Sequence, residues 1–169
     1  MSPNIAVVRA DYGNPLHAAA LMQVLNAYAS EPAGGSHPLS VFVRENLISA
    51  LAARPQAYSV LAFDGDEPVG LVNCIEGFST FACRPLVNVH DVAVVVSHRG
   101  QRIGAQMLAL AERLAIERGA VKMTMEVLSG NGPAMALYTR LGYQGYQLEP
   151  SMGTAQFMQK LLATPPDSN

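Results

Sequence analysis

Cysteine, charge and long apolar runs are all scarce in this chain. Two cysteines, Cys74 and Cys83, stand among 169 residues. That is too few for a disulfide framework, and both read as free structural thiols. The four histidines (His17, His37, His90 and His98) have no metal-ligand spacing to one another or to the cysteines, so no metal is expected. Charged residues make up 14% of the chain, without the dense basic stripe that a nucleic-acid surface needs. No apolar run is long enough to cross a bilayer, and Met1-Ser2-Pro3-Asn4 is not a basic, hydrophobic leader. The expected setting is therefore cytoplasmic, with neither membrane nor nucleic acid as partner. No Gly-Lys-Ser/Thr follows a glycine-rich turn and no G-x-G-x-x-G occurs, which excludes a P-loop and a dinucleotide fingerprint.

Half of the residues are hydrophobic, a composition suited to one globular domain with a sizeable core. With neither internal repeats nor a dividing linker, a single domain is expected over 1–162, followed by a loose tail at 163–169. The net charge of −2 is unevenly spread. Residues 1–94 hold four basic and eight acidic residues, the remainder seven and five. That division suits an anion site in the second half, or simply two solvated surfaces.

Ile5 to Arg9 reads as a first strand, and residues 15–29 as a helix opened by Asn14-Pro15. After the breaker segment Glu31 to Pro38, a second helix is expected over 39–53. Tyr58–Phe63 and Val69–Ile75 flank a turn sequence and read as an antiparallel hairpin. Residues 77–87 look irregular. The nearly continuous apolar run Val89–Val96 reads as a strand buried on both faces. A helix carrying Ile103, Met107, Leu110 and Leu114 stops at Gly119, and a half-buried strand follows over Val121–Leu128. Asn131 caps a last helix, and Tyr143–Leu148 with Thr154–Leu161 can close the chain as a strand pair. The order is that of an α+β fold, an α/β/α sandwich layout with helices on a mixed sheet.

Two segments carry chemistry. The first is the turn Arg99-Gly100-Gln101-Arg102-Ile103-Gly104-Ala105 between a strand and a helix. Backbone N–H groups converge at such a helix start, the helix dipole adds partial positive charge, and Arg99 and Arg102 add full charge. By itself the segment reads equally as a pyrophosphate site or as an ordinary strand-to-helix turn. The second is Asn131-Gly132-Pro133-Ala134-Met135-Ala136-Leu137-Tyr138-Thr139-Arg140-Leu141-Gly142-Tyr143.

Together these segments resemble the GNAT superfamily of acyl-CoA-dependent N-acyltransferases. Its cofactor turn, Q/R-x-x-G-x-G/A, is met by Arg99 and Gly104, with Arg102 where the first glycine belongs. Its second pattern, N-x-x-A-x-x-L-Y-x-x-x-G-F/Y, is met at Asn131, Ala134, Leu137, Tyr138, Gly142 and Tyr143. The resemblance implies a mixed, mostly antiparallel sheet of about seven strands with four helices, in which a bulged fourth strand splays from the fifth. It implies that backbone groups of Val92, Ala93 and Val94 bind pantetheine, one N–H serving as oxyanion donor. It further implies that amides from Arg99, Gly100, Gln101, Arg102, Ile103, Gly104 and Ala105 hold the pyrophosphate of coenzyme A. Asn131 would meet the cofactor as well as cap its helix, and Tyr138 would hydrogen-bond or protonate the thiolate leaving group.

For the general base the candidates are Glu76, His90, Asp91 and Glu126. Strict alternation puts His90 on one strand face and Asp91 on the other, so only one could reach the acceptor groove. A carboxylate aligns with His90 in polyamine-acetylating members of the family, which favours His90, with Glu76 next. A covalent route through Cys74 or Cys83 lacks a local activating group. The implied activity is acetyl transfer from acetyl-CoA, as cosubstrate and without a metal, to a primary amine. The acceptor would be a small cationic amine, polyamine or amino-acid derivative. Transfer to a peptide or protein amine, and a non-catalytic acyl-CoA sensor, are the alternatives. Homodimers are common in this superfamily.

Overall fold

The computed structural model describes residues 4–162, and the expected tail at 163–169 lies outside them. The chain divides into two compact units, Met1–Met125 and Glu126–Asn169. The first unit runs β1 (Ile5–Arg9), α1 (Pro15–Ala29), α2 (Val41–Ala52), β2 (Ala57–Asp64), β3 (Glu67–Ser79), β4 (Arg84–Val94), α3 (Ile103–Glu117) and β5 (Met123–Met125). The second contains α4 (Gly132–Arg140).

Helix starts follow local capping chemistry. Asn14 accepts the Leu16 N–H ahead of α1, and Ser40 accepts the Val43 N–H ahead of α2. α3 ends in a Schellman arrangement. Gly119 is left-handed (φ +76°), its N–H reaches the Ile116 carbonyl, and the Ala120 N–H reaches Ala115.

The sheet order is β1-β2-β3-β4-β5, antiparallel from β1 to β4 and parallel between β4 and β5. Directly opposed residues share a face, so the register sorts the strands into two layers. Leu61, Leu71 and Ala93 form one cross-strand row and pack with Ala20, Leu21, Val24 and Leu25 of α1. Leu47, Ile48 and Leu51 of α2 join them. The other face meets α3, where the Tyr58 hydroxyl donates to the Ala111 carbonyl at 2.9 Å. Gly70 lies so close to Met107 that a Cβ there would stand 2.8 Å from its Sδ. Burial of each large aliphatic side chain in these layers contributes on the order of 1.5–3 kcal/mol.

Several sequence expectations change. The sheet has five strands among the described residues, not about seven. Tyr143–Leu148 and Thr154–Leu161 form no ladder; one backbone bond, Ala155 N–H to Tyr146 O at 2.9 Å, links them. Beyond Tyr143 their apolar residues stay exposed, Leu161 at 86%. Alternation marks a capacity for strand formation, which needs a partner edge to be realised. Residues 77–87, expected to be irregular, instead continue β3 and open β4, pairing Gly77 with Leu86 and Ser79 with Arg84 around a turn in which Cys83 is left-handed. The strand buried through both faces is β2, with every residue from Ala57 to Ala62 buried, because helices cover both sides of it. β4 is only partly buried and ends at Val94.

Candidate active site

The pairing of β3 with β4 slips by one residue. Asn73 opposes Asp91 while Cys74 opposes Val89, so His90 is an extra, unpaired residue in β4. This is a β-bulge. It explains why Val87, Val89 and Ala93, all odd-numbered, do not share a face. Val89 is in register with Cys74 and Tyr58 on the α3 side, whereas Ala93 belongs to the α1 row. The bulge also removes the expected opposition of His90 and Asp91. Asn88, through its register with Ile75, shares the α1 face with Asp91, and the His90 imidazole hydrogen-bonds the Asn88 carboxamide. Both candidates thus lie towards the same side of the sheet.

The ladder between β4 and β5 spans only Val87↔Met123, Asn88↔Thr124 and Val89↔Met125. Past Val89 no described strand is paired to that side of β4, so the backbone from His90 to Val94 runs beside a gap in the sheet. Val92, Ala93 and Val94 form this stretch, on their expected strand.

From Val94 the chain passes through a short 3-10 turn, Val96–His98, into the Arg99–Ala105 segment. Gly100 is left-handed (φ +77°), and so is Arg102 (φ +62°, ψ +14°), the residue immediately before α3. The place where the family pattern puts glycine is therefore one that disfavours a side chain, and Arg102 occupies it at a cost of about 1–2 kcal/mol. Its side chain makes no capping hydrogen bond. The N–H groups of Ile103, Gly104 and Ala105 have no carbonyl a turn back within the helix and emerge at its positive end. Arg99 is less free than its sequence position suggests. Its Nη2 contacts both oxygens of Glu31 (2.7 and 2.6 Å), and its Nε donates to the Val94 carbonyl at 2.9 Å. It ties the end of β4 to the segment after α1.

In the second unit, Asn131 accepts the Ala134 N–H at 3.3 Å and caps α4. Its far end is a second Schellman motif. Gly142 is left-handed (φ +91°), its N–H meets the Thr139 carbonyl, and the Tyr143 N–H meets Tyr138 at 3.0 Å. The Tyr138 and Tyr143 rings stand edge to face, 6.1 Å between centroids, in the apolar contact that such a motif favours. Tyr138 is half-buried.

The remaining candidates have other partners. Glu76 is paired with Arg118 at 3.0 Å, and Arg118 lies over the Tyr58 ring at 4.8 Å. Burial pushes the Cys74 thiol up to about 12 against an opposing hydrogen bond from Tyr58, which keeps it protonated and weakly nucleophilic. Cys83 and Glu126 are exposed.

One constellation escaped the sequence reading. Tyr12, Ser59, Asn73 and Asp91 form a hydrogen-bonded chain with links of 2.8, 2.6 and 2.9 Å. The available signal was two polar residues, Ser59 and Asn73, inside otherwise apolar strands. Without the register nothing connected them.

The acetyltransferase (GNAT) family model matches residues 19–143. The chain belongs to the GNAT acetyltransferase family. It is 33% identical over 92 residues to a streptothricin acetyltransferase of Streptomyces lavendulae, a match covering 52% of this chain and 49% of that relative. The match therefore spans about half the length of that protein. A transcriptional regulator from Bacillus halodurans C-125 shares the fold with a TM-score of 0.76 at 17% identity, over 94% of this chain and 100% of the other. An aminoglycoside acetyltransferase from an uncultured soil metagenomic sample, solved with sisomicin, shares it with a TM-score of 0.74 at 15% identity, over 94% and 97%. Among the described residues no helix of this GNAT protein is long and apolar enough to cross a membrane.

Proposed function

We propose that this GNAT protein is an acetyl-CoA-dependent N-acetyltransferase acting on a small cationic amine, with a catalytic domain spanning 1–162. The observation that carries this reading is a continuous stretch of backbone. It comprises the bulge at His90, the unpaired edge to Val94, and an α3 start with a left-handed residue and no side-chain cap. Those features suit coenzyme A. An extended arm can hydrogen-bond along the open β4 edge, and pyrophosphate oxygens can accept the N–H groups of Ile103, Gly104 and Ala105.

When bound, acetyl-CoA supplies an activated thioester. The proposed roles of the chain's own groups are as follows. A backbone N–H within Val92–Val94 donates to the carbonyl oxygen as charge grows on it. Backbone amides over Arg99–Ala105 hold the pyrophosphate, with Arg102 reaching towards a phosphate. His90 takes the proton that the acceptor ammonium must lose, and the Tyr138 hydroxyl donates to the departing sulfur. Asn131 fixes the start of α4 and with it the helix bearing Tyr138. Glu76, engaged by Arg118, has no catalytic part in this scheme. The streptothricin acetyltransferase that it resembles in sequence supports a small-molecule acceptor.

The test is thiol release from acetyl-CoA against streptothricin, sisomicin, spermidine and an N-terminal peptide, using wild type and Tyr138→Phe. Release with a small cationic amine and a fall in kcat of about 100-fold in the variant, at unchanged coenzyme A affinity, is the expected result. Absence of coenzyme A binding by the wild type would overturn the reading. Tight binding without release on any amine would mark a non-catalytic sensor, and release on the peptide alone would replace the acceptor class.

A further inference from the structure

The polar chain under the α1 face ends beside the proposed reaction centre. Ser59, Asn73 and Asp91 occupy one cross-strand row, set by the pairings Ser59↔Asn73 and Asn73↔Asp91. The row lies two residues along from the apolar row Leu61, Leu71 and Ala93. Ser59 is 1% exposed and Asn73 6%, so polar groups this deep are retained at a desolvation cost unless each finds a partner. Each does. An ionised carboxylate only accepts hydrogen bonds, so the Asp91 end fixes the direction of the whole chain. The Asn73 Nδ2 donates to Asp91 Oδ2. The Asn73 Oδ1 must then accept, so the Ser59 hydroxyl donates to it, and the Tyr12 hydroxyl in turn donates to Ser59 Oγ. Burial raises the Tyr12 hydroxyl above its ordinary value, the bond to Ser59 opposing, so the terminal donor keeps its proton.

Asp91 immediately follows the bulge and immediately precedes the open edge at Val92. One of its oxygens is held by Asn73, and among the described residues no hydrogen bond or ion pair reaches the other. We propose that Asp91 binds the acceptor ammonium beside His90, and that Tyr12, Ser59 and Asn73 are positioning residues that orient its carboxylate from across the sheet. This rests on the acetyltransferase reading above. It adds the group that recognises the amine's charge and the chain that holds that group still. Specificity for a cationic acceptor is then set by residues on three strands and a loop, of which only Asp91 touches the substrate.

The experiment is a double-mutant cycle in the full chain with acetyl-CoA and streptothricin, sisomicin and spermidine as acceptors. Asp91→Asn is expected to raise the KM for the preferred amine about 30-fold with a small change in kcat. Asn73→Leu alone should raise it about tenfold. On the Asp91→Asn background the same Asn73→Leu substitution should change KM less than twofold, because its effect passes through Asp91. Coenzyme A affinity should stay within twofold throughout. Ser59→Ala and Tyr12→Phe, milder removals that guard against misfolding of Asn73→Leu, should give smaller KM increases in that order, each also abolished on the Asp91→Asn background. Equal losses on both backgrounds would reduce the chain to a structural role and overturn the proposal. So would an unchanged amine KM in Asp91→Asn. A wild type that binds coenzyme A but acetylates none of the amines would remove the enzymatic reading itself, and this inference with it.

Discussion

At the start of α4 the Asn131 carboxamide accepts the Ala134 N–H, whereas at the start of α3 the left-handed Arg102 makes no side-chain cap at all. Both helices begin at residues that the family patterns single out, yet the patterns encode opposite things. Asn131 closes a helix end with its own side chain, and at the other end Gly142 with Tyr143 completes a Schellman motif. Much of the second pattern is therefore the sequence of a well-terminated helix, on which Tyr138 is carried. The first pattern describes a backbone that turns left-handed and leaves the start of α3 without a side-chain cap, the arrangement proposed above to receive pyrophosphate. The two α-helices before them, closed by Asn14 and Ser40, behave like α4.

The strongest way to break this contrast is to put an anion at the proposed pyrophosphate site. Ala105→Glu places a carboxylate in the first turn of α3. It should weaken coenzyme A binding about 100-fold, or roughly 2.7 kcal/mol, while leaving folding stability unchanged or slightly raised through the helix dipole. Titration calorimetry and thermal unfolding read the two opposed effects. At α4 the loss should fall on stability instead. Asn131→Ala is expected to cost about 1 kcal/mol, seen in denaturant unfolding and in faster amide exchange in the first turn of α4. Arg102→Gly should act with the opposite sign, stabilising the protein by about 0.5–1 kcal/mol through relief of the left-handed conformation. Its coenzyme A affinity should stay within about tenfold, or roughly 1.4 kcal/mol, and a larger loss would show that the guanidinium itself binds. The smallest effect concerns Arg99. Glu31→Gln removes the carboxylate that occupies its guanidinium and should tighten coenzyme A binding about threefold, roughly 0.6 kcal/mol.

Much of this contrast was legible in the chain. Asn131-Gly132-Pro133 announces the capped start of α4, Gly119 the end of α3, and Asp64-Gly65-Asp66 a hairpin, because caps and turns are decided by neighbours within a few residues. The fate of Tyr143–Leu148 and Thr154–Leu161 was not legible. Their alternation is real, but a strand needs an edge to pair with, and no local pattern records whether one is offered. The turn at Thr80–Cys83 was missed for the converse reason: cross-strand pairing, as of Gly77 with Leu86, carries β3 and β4 through residues that look irregular.

The sequence alone determined the family, the helix boundaries and the two segments from which a cofactor site could be built, since each rests on contiguous residues. Only the tertiary structure decided that His90 is a bulge, that His90 and Asp91 consequently face the same way, and that Tyr12, Ser59, Asn73 and Asp91 form one hydrogen-bonded row. Those facts depend on register between strands. A one-residue slip in pairing reassigns every side chain beyond it to the opposite face.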